Sequence, residues 1–223
     1  MFVITADQID SRSNPSRGRD AVELIERLGA DHLALPPDRT SGDEVQALTG
    51  DARTALEILL ALIRDGHWRV GLGIGAVDTP LPDATRTATG DAFIAARAAI
   101  EAAKKRPLGA VIEIAAPQGD DAGGVPSPAA LQAMLDLLLT VRTRRSPEGW
   151  EVTDLVDAGL SQGEAAERLG ITPQAASKRA IAAATRVDAA ARAGLAELLA
   201  AADPSVRADS SHTPARRPAE GEE

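Results

Sequence analysis

The chain contains no cysteine and no tyrosine, and only two phenylalanines and two tryptophans in 223 residues. The first absence excludes disulfides and thiolate metal sites, and fits a reducing compartment. The scarcity of aromatics leaves Ala, Leu, Ile and Val to build the core. Histidine is rare too: His32, His67 and His212 are scattered, with the spacing of neither a metal site nor a catalytic triad. No apolar run approaches a membrane span; the longest, residues 56–63, is interrupted by Glu57. Met1 leads directly into an apolar, strand-like run with no basic region before it. No signal peptide is therefore expected, and the reading is a cytoplasmic protein without membrane insertion. Positive charge is in the minority. A formal net charge of −9 argues against indiscriminate coating of nucleic acid. It remains compatible with a dimer that reads a specific site through one local basic face.

Composition breaks suggest two small domains. Residues 1–116 alternate strand-like and helix-like segments, and 117–128 (PQGDDAGGVPSP) has the composition of a linker. Residues 129–202 read as wholly helical, and 203–223 as a polar, Pro-containing, disordered tail. In the first part, strands are expected at 2–6, 32–35, 44–48, 69–74 and 110–115, with helices at 20–28, 52–64 and 91–105. The fold class is therefore α+β, and the order β-α-β-β-α-β, extended by a helix and a strand, is ferredoxin-like. In the second part, 129–145 is a helix with Leu131, Met134, Leu135, Leu138 and Leu139 at helical spacing. Arg142, Arg144 and Arg145 at its end complement the helix dipole, with phosphate contact as the alternative. Trp150 opens a further helix with Val152, Leu155 and Val156 inward. A last one, 189–201, offers Leu195, Leu198 and Leu199 as a core or dimer stripe.

The segment 160–181, LSQGEAAERLGITPQAASKRAI, reads as a helix-turn-helix. Ser161 and Glu164 form a capping box. Ala165, Ala166 and Leu169 give a narrow apolar face, and Gly170 supplies the positive φ of a tight turn. Thr172 caps a second helix whose first residue is Pro173. Ala176, Ala180 and Ile181 are expected inward, leaving Pro173, Gln174, Ser177 and Lys178 on the leading face. Gln and Lys reach base edges in the major groove, and Ser contacts base or phosphate. Between residues 168 and 192 there are five basic residues (Arg168, Lys178, Arg179, Arg186, Arg192) against Asp188 alone. The preceding stretch 148–167 has six acids and no base. Positive charge therefore sits on the second helix and its continuation, with Arg179 and Arg186 nearer a DNA backbone. A plain structural hairpin is the competing interpretation.

Four blocks of the first half carry a resemblance: VITADQIDSR (3–12), SGDEVQAL (41–48), VGLGIG (70–75) and GDAFIAAR (90–97). In this order they resemble the SatD family, and also the signature of class III nucleotide cyclases, whose core is a ferredoxin-like sheet. The cyclase resemblance implies that Asp7 and Asp43 match a carboxylate pair holding divalent metal. It implies that Arg39 stands at the place of a base-reading lysine, and Arg97 at that of a transition-state arginine. The last block is one residue shorter than the cyclase pattern, and Phe93 falls where a ribose-positioning Asn belongs. These departures imply an eroded active site and no enzymatic activity. Other readings of the same residues are plain: Gly42-Asp43 as a hairpin turn, Arg97 as a solvated charge, and Asp10 and Glu44 facing solvent.

Gly71, Gly73 and Ala76 mimic a dinucleotide fingerprint, but the two glycines lie within a strand and no helix follows directly to hold a pyrophosphate. The P-loop pattern is absent. The expected function is a DNA-binding transcriptional regulator, a homodimer on paired half-sites, whose first domain senses a small molecule or dimerises. No cofactor is expected beyond a divalent metal at the carboxylate pair. A nucleotide-binding or cyclase-like enzyme and a protein-interaction module are the alternatives.

Overall fold

The computed structural model describes residues 1–11, 15–40, 43–115 and 126–204. The fold is α+β, with a five-stranded mixed sheet and eight α-helices among these residues. The strands are β1 (Phe2–Gln8), β2 (Leu33–Arg39), β3 (Glu44–Thr49), β4 (Trp68–Ile74) and β5 (Ala110–Ile114), in the order β2-β3-β1-β4-β5. β1 runs antiparallel to both β3 and β4, β2 antiparallel to β3, and only β5 joins in parallel.

Side chains of one sheet face (Phe2, Ile4, Val45, Ala47, Val70, Leu72, Ile74) share a buried cluster with α1 (Gly18–Gly29) and α2 (Ala52–Asp65). α2 has clear bounds in the sequence. The Asp51 carboxylate accepts from Thr54 N at 2.8 Å, and Gly66 ends the helix in the left-handed region. The opposite face is covered by the Ala-rich α3 (Asp91–Ala103). Here the glycines of β4 have their use. A Cβ at Gly73 would lie 2.2 Å from Ala92 O and Ala96 N, and one at Gly71 2.4 Å from Ile100 N. With no side chain on the strand and only methyls on the helix, the two backbones meet almost directly. That tight approach is how a core poor in aromatics closes on this side.

The carboxy-terminal helices are α4 (Pro128–Thr143), α5 (Pro147–Asp157), α6 (Gln162–Leu169), α7 (Pro173–Ala182) and α8 (Thr185–Ala202). The packing crosses the boundary suggested by composition. Leu131, Leu135, Leu138 and Leu139 of α4 and Leu195 and Leu199 of α8 belong to the same buried cluster as β1, β4 and α2. α4 also guards the sheet edge, where the Gln132 side chain bonds Ile112 N at 2.9 Å and Ala110 O at 3.2 Å, as a neighbouring strand would. Most of the expected linker and all but the start of the expected tail lie outside the described residues. The start of that tail is part of the fold: Asp203 is buried and pairs with the Met1 amino group.

Several element bounds differ from expectation for local reasons. β2 continues through Pro36 and Pro37 to Arg39, because an edge strand with register shifts tolerates missing donors. α5 begins at Pro147 rather than Trp150, since Ser146 caps it by accepting from Gly149 N. α8 begins at Thr185, with only two residues between it and α7, because Ala184 adopts φ 53°. Glu44 does not face solvent; it is largely buried, accepting from Thr40 Oγ1 at 3.0 Å and from Gln46 Nε2 at 3.2 Å.

Candidate functional site

The first set of candidate residues gathers at one end of the sheet. Asp7 stands near the end of β1, opposite Glu44 in the β1–β3 register. Gln8 N donates to Asp43 O at 3.3 Å, which brings Asp43 beside it. Burial is the main cause that lifts the Asp7 carboxyl above its ordinary range, and the charge of Asp43 adds to it. Lys104 opposes the shift, with Nζ 3.5 Å from Asp7 Oδ1. Burial by itself would lower the Lys104 pKa, but the hydrogen bonds and opposite charges of Glu101 and Asp7 together outweigh it and raise it. Arg97, with 72% of its side chain exposed, reaches Glu44 Oε2 at 3.8 Å. Arg39 opposes Val45 in the β2–β3 register and turns toward α1. Its Nη2 donates to Ser16 Oγ at 3.2 Å, and its stem fills the space over Gly18 where a Cβ would sit 2.5 Å from Nε. Phe93 packs beside Val3, Leu48, Ala92 and Ala96.

The donor set fits a divalent-metal pair poorly. Two carboxylates come together, but a lysine ammonium already lies against one of them. Among the described residues, no three His, Asp or Glu side chains form a group able to hold a metal ion. Phe93 serves packing, so the arrangement supplies no hydrogen bond from that position to a sugar.

The second set lies on α6 and α7. Ser161 Oγ accepts from Glu164 N at 3.3 Å, and Glu164 Oε2 accepts from Ser161 N at 2.8 Å, so both halves of the capping box are made. Gly170 turns the chain at φ 65°. Thr172 Oγ1 accepts from Ala175 N at 3.2 Å, with Pro173 in the first turn of α7. Ala165 and Ala166 of α6 and Ala176 and Ala180 of α7 are buried. Thr172, Pro173, Gln174 and Lys178 are exposed, and Ser177 is half-buried. Ile181 does not point inward. It is 75% exposed, seven residues from Gln174 and three from Lys178 on the same outer stripe.

The local positive charge is smaller than a count of residues suggests. Arg179 is half-buried and pairs with Glu151 at 3.3 Å. Arg192 is held by Asp157 at 2.8 Å and Asp188 at 2.9 Å. Lys178, Arg168 and Arg186 are exposed.

What mounts this helical unit was not visible in the sequence. Asp188, read there as the lone acid of a basic stretch, is fully buried and serves three arginines. Both of its oxygens accept from Arg142 Nη1 at 3.0 Å, and Arg145 Nη2 lies 3.2 Å away. Arg145 Nε also donates to Ala183 O at 2.9 Å, fixing the end of α7. Of the three arginines expected at the end of α4, only Arg144 is exposed; Arg142 and Arg145 turn inward because a buried carboxylate awaits them. Burial lowers the pKa of Arg142 despite Asp188, and Arg145 and Arg192 lower it further. Arg64 of α2 ties the unit to the sheet layer through a two-point bond to Asp154 at 2.6 and 2.7 Å.

No family model matches the chain, and neither a curated protein nor a solved structure shows significant similarity to it. No helix among the described residues is long and apolar enough to cross a membrane.

Proposed function

We propose that the protein is a cytoplasmic, DNA-binding transcriptional regulator in which α6 and α7 form a helix-turn-helix and α7 is the recognition helix. One observation carries this reading. α7 leaves Gln174, Lys178 and Ile181 exposed along one stripe while Ala176 and Ala180 hold its other side against the protein. Such a stripe suits a major groove: Gln pairs with a base edge in two hydrogen bonds, Lys reaches guanine or phosphate, and Ile meets a thymine methyl. Thr172 and Pro173 lead the helix in, Ser177 flanks the stripe, and Arg179 and Arg186 lie toward the backbone. A homodimer on paired half-sites follows from the small size of one reading helix.

The strand order β2-β3-β1-β4, antiparallel throughout, supports a ferredoxin-like, cyclase-like reading of the first half. The resemblance to the SatD family rests on the same region. Its role in the regulator is sensing or dimerisation, with catalysis lost. Lys104 against Asp7 and Phe93 in the packing favour that loss.

The test is binding of the full chain to DNA from its own upstream region across a salt series. Gln174→Ala should relax sequence preference, by about 1–3 kcal/mol at one base pair. Arg186→Ala should weaken binding to all sequences and flatten the salt slope by roughly one unit. Absence of salt-sensitive binding to any such fragment refutes the reading. The alternative, an enzyme, rests on the juxtaposition of Asp7 and Asp43. Cyclic product from ATP or GTP with Mn²⁺, lost in Asp43→Ala, would put it first.

A further inference from the structure

A cleft of about 220 Å³ opens between α2, α4 and α5, lined by Arg64, Arg142, Thr143, Arg145 and Trp150 over an apolar wall that includes Leu139. Three guanidinium carbons surround the Trp150 ring, those of Arg64, Arg145 and Arg142 at 3.7, 4.1 and 4.8 Å from its centroid.

The charges around this cleft do not balance. Arg64, Arg142 and Arg145 line it with no carboxylate among the lining residues, and the carboxylates paired with them are only Asp154 and Asp188, the latter shared with Arg192 as well. The deficit falls on the deepest member. Among the described residues, the only buried side-chain polar atoms without a hydrogen-bond partner are Nη1 and Nη2 of Arg145; Nη2 lies 3.2 Å from Asp188 Oδ1 as an ion pair without hydrogen-bond alignment, and Nη1 has no partner at all. Its side chain has no exposed surface, and Asp188, the carboxylate beside it, is already divided among three cations. A buried guanidinium with open donors is costly to keep unless something completes it.

We propose that this cleft is a binding site for a small tetrahedral oxyanion of the phosphate class, held by Arg142 and Arg145. A planar fork of N–H donors matches a phosphate group in two-point geometry, and the partly apolar wall strengthens the attraction. The cleft is smaller than the roughly 300–1,000 Å³ of pockets that take drug-sized ligands. Three guanidinium groups already crowd the Trp150 ring, which leaves little room for a nucleobase to stack on it. The ligand is thus the anion itself or a small phosphate monoester. Arg64, the most exposed of the three arginines, is the side chain that yields to admit it. The site is separate from the exposed stripe of α7 and stands whether or not that stripe reads DNA.

Trp150 is a built-in reporter, and Trp68→Phe isolates its emission. Inorganic phosphate, titrated into the full chain at constant ionic strength, should give a saturable change in Trp150 emission and a higher melting temperature. Chloride should give neither, and glycerol phosphate as a second arm separates a free-anion site from a monoester site. Arg145→Met keeps the volume and removes the donors, and should weaken binding at least tenfold. Should that variant not fold, Arg142→Lys keeps the charge, loses the fork, and is expected to weaken binding as well. A response that is linear rather than saturable, equal in chloride, or unchanged in a folded variant overturns the site. A Trp150 response to duplex DNA but to neither small anion overturns it too.

Discussion

Replacing Asp188 by asparagine tests the mounting of the helical unit. The substitution keeps the shape and one carbonyl acceptor but removes the charge that Arg142, Arg145 and Arg192 share. Removing one partner of a buried pair costs about 3–5 kcal/mol, because the remaining charge stays buried without its counter-ion. Here the loss is felt in full by Arg145, which is wholly buried, and nearly so by Arg142, with 11% of its side chain exposed. Arg192 is less affected, since Asp157 remains at 2.8 Å. The expected cost is therefore about 4 kcal/mol, a large part of the roughly 5–15 kcal/mol that holds a typical domain folded. Urea unfolding should show a lower midpoint with an unchanged slope. Asp154→Asn is the control. Its pair with Arg64 is about half exposed on one side and more than a third on the other, and such surface pairs contribute about 0–1 kcal/mol. The two deficits also differ in salt: the Asp154 effect should vanish at molar salt, and the Asp188 effect should persist. A cost below about 1 kcal/mol for Asp188→Asn, or one that salt removes, would refute the view of this cluster as the buried mount.

Gly73→Ala forces a methyl to within 2.2 Å of two backbone atoms of α3, which no rotamer can relieve. It should destabilise by about 3 kcal/mol or more, the upper range for overpacking, in urea unfolding; Gly50→Ala, with only the Met1 sulfur 3.6 Å away, should be near neutral. Asp7 has a raised native pKa, led by burial and then by Asp43, so the native state holds its proton more tightly than the unfolded chain does. Stability contributed there falls as pH rises from the ordinary carboxylate value through the raised one, and stays lower above it. Asp7→Asn should accordingly raise the melting temperature at neutral pH and lose the advantage in acid; a less stable variant at neutral pH would contradict this. Gln132→Ala leaves Ile112 N and Ala110 O without their partner at the sheet edge. It should increase hydrogen exchange at the Ile112 amide and promote self-association, measured by light scattering.

Local rules made much of the fold legible. The capping box at Ser161 and Glu164, the left-handed Gly170 and the Thr172-Pro173 start could be read directly, because each acts within one helical turn. A Ser-Pro start of the same kind opens α4 at Ser127-Pro128 and α5 at Ser146-Pro147, and it marks both bounds in the sequence. Ile181 was legible as well: helical spacing puts it with Gln174 and Lys178, whereas the apolar label suggested the core. Ala184 was not, since an alanine at positive φ carries no sign of it in sequence.

The sequence by itself determined the α+β class, the succession of strands and helices along the chain, and the caps that bound α6 and α7, because capping, periodicity and turn chemistry are short-range. The tertiary structure alone decided where charge resides. Asp188 and Arg142 are 46 positions apart and Arg64 and Asp154 are 90 apart, so their pairing depends on how α2, α4, α5 and α8 pack. It also decided that the glycines of β4 face a helix backbone, and that α4 and α8 complete the core beneath the sheet. A charge or a glycine in a sequence has many possible neighbours, and only close packing selects one of them.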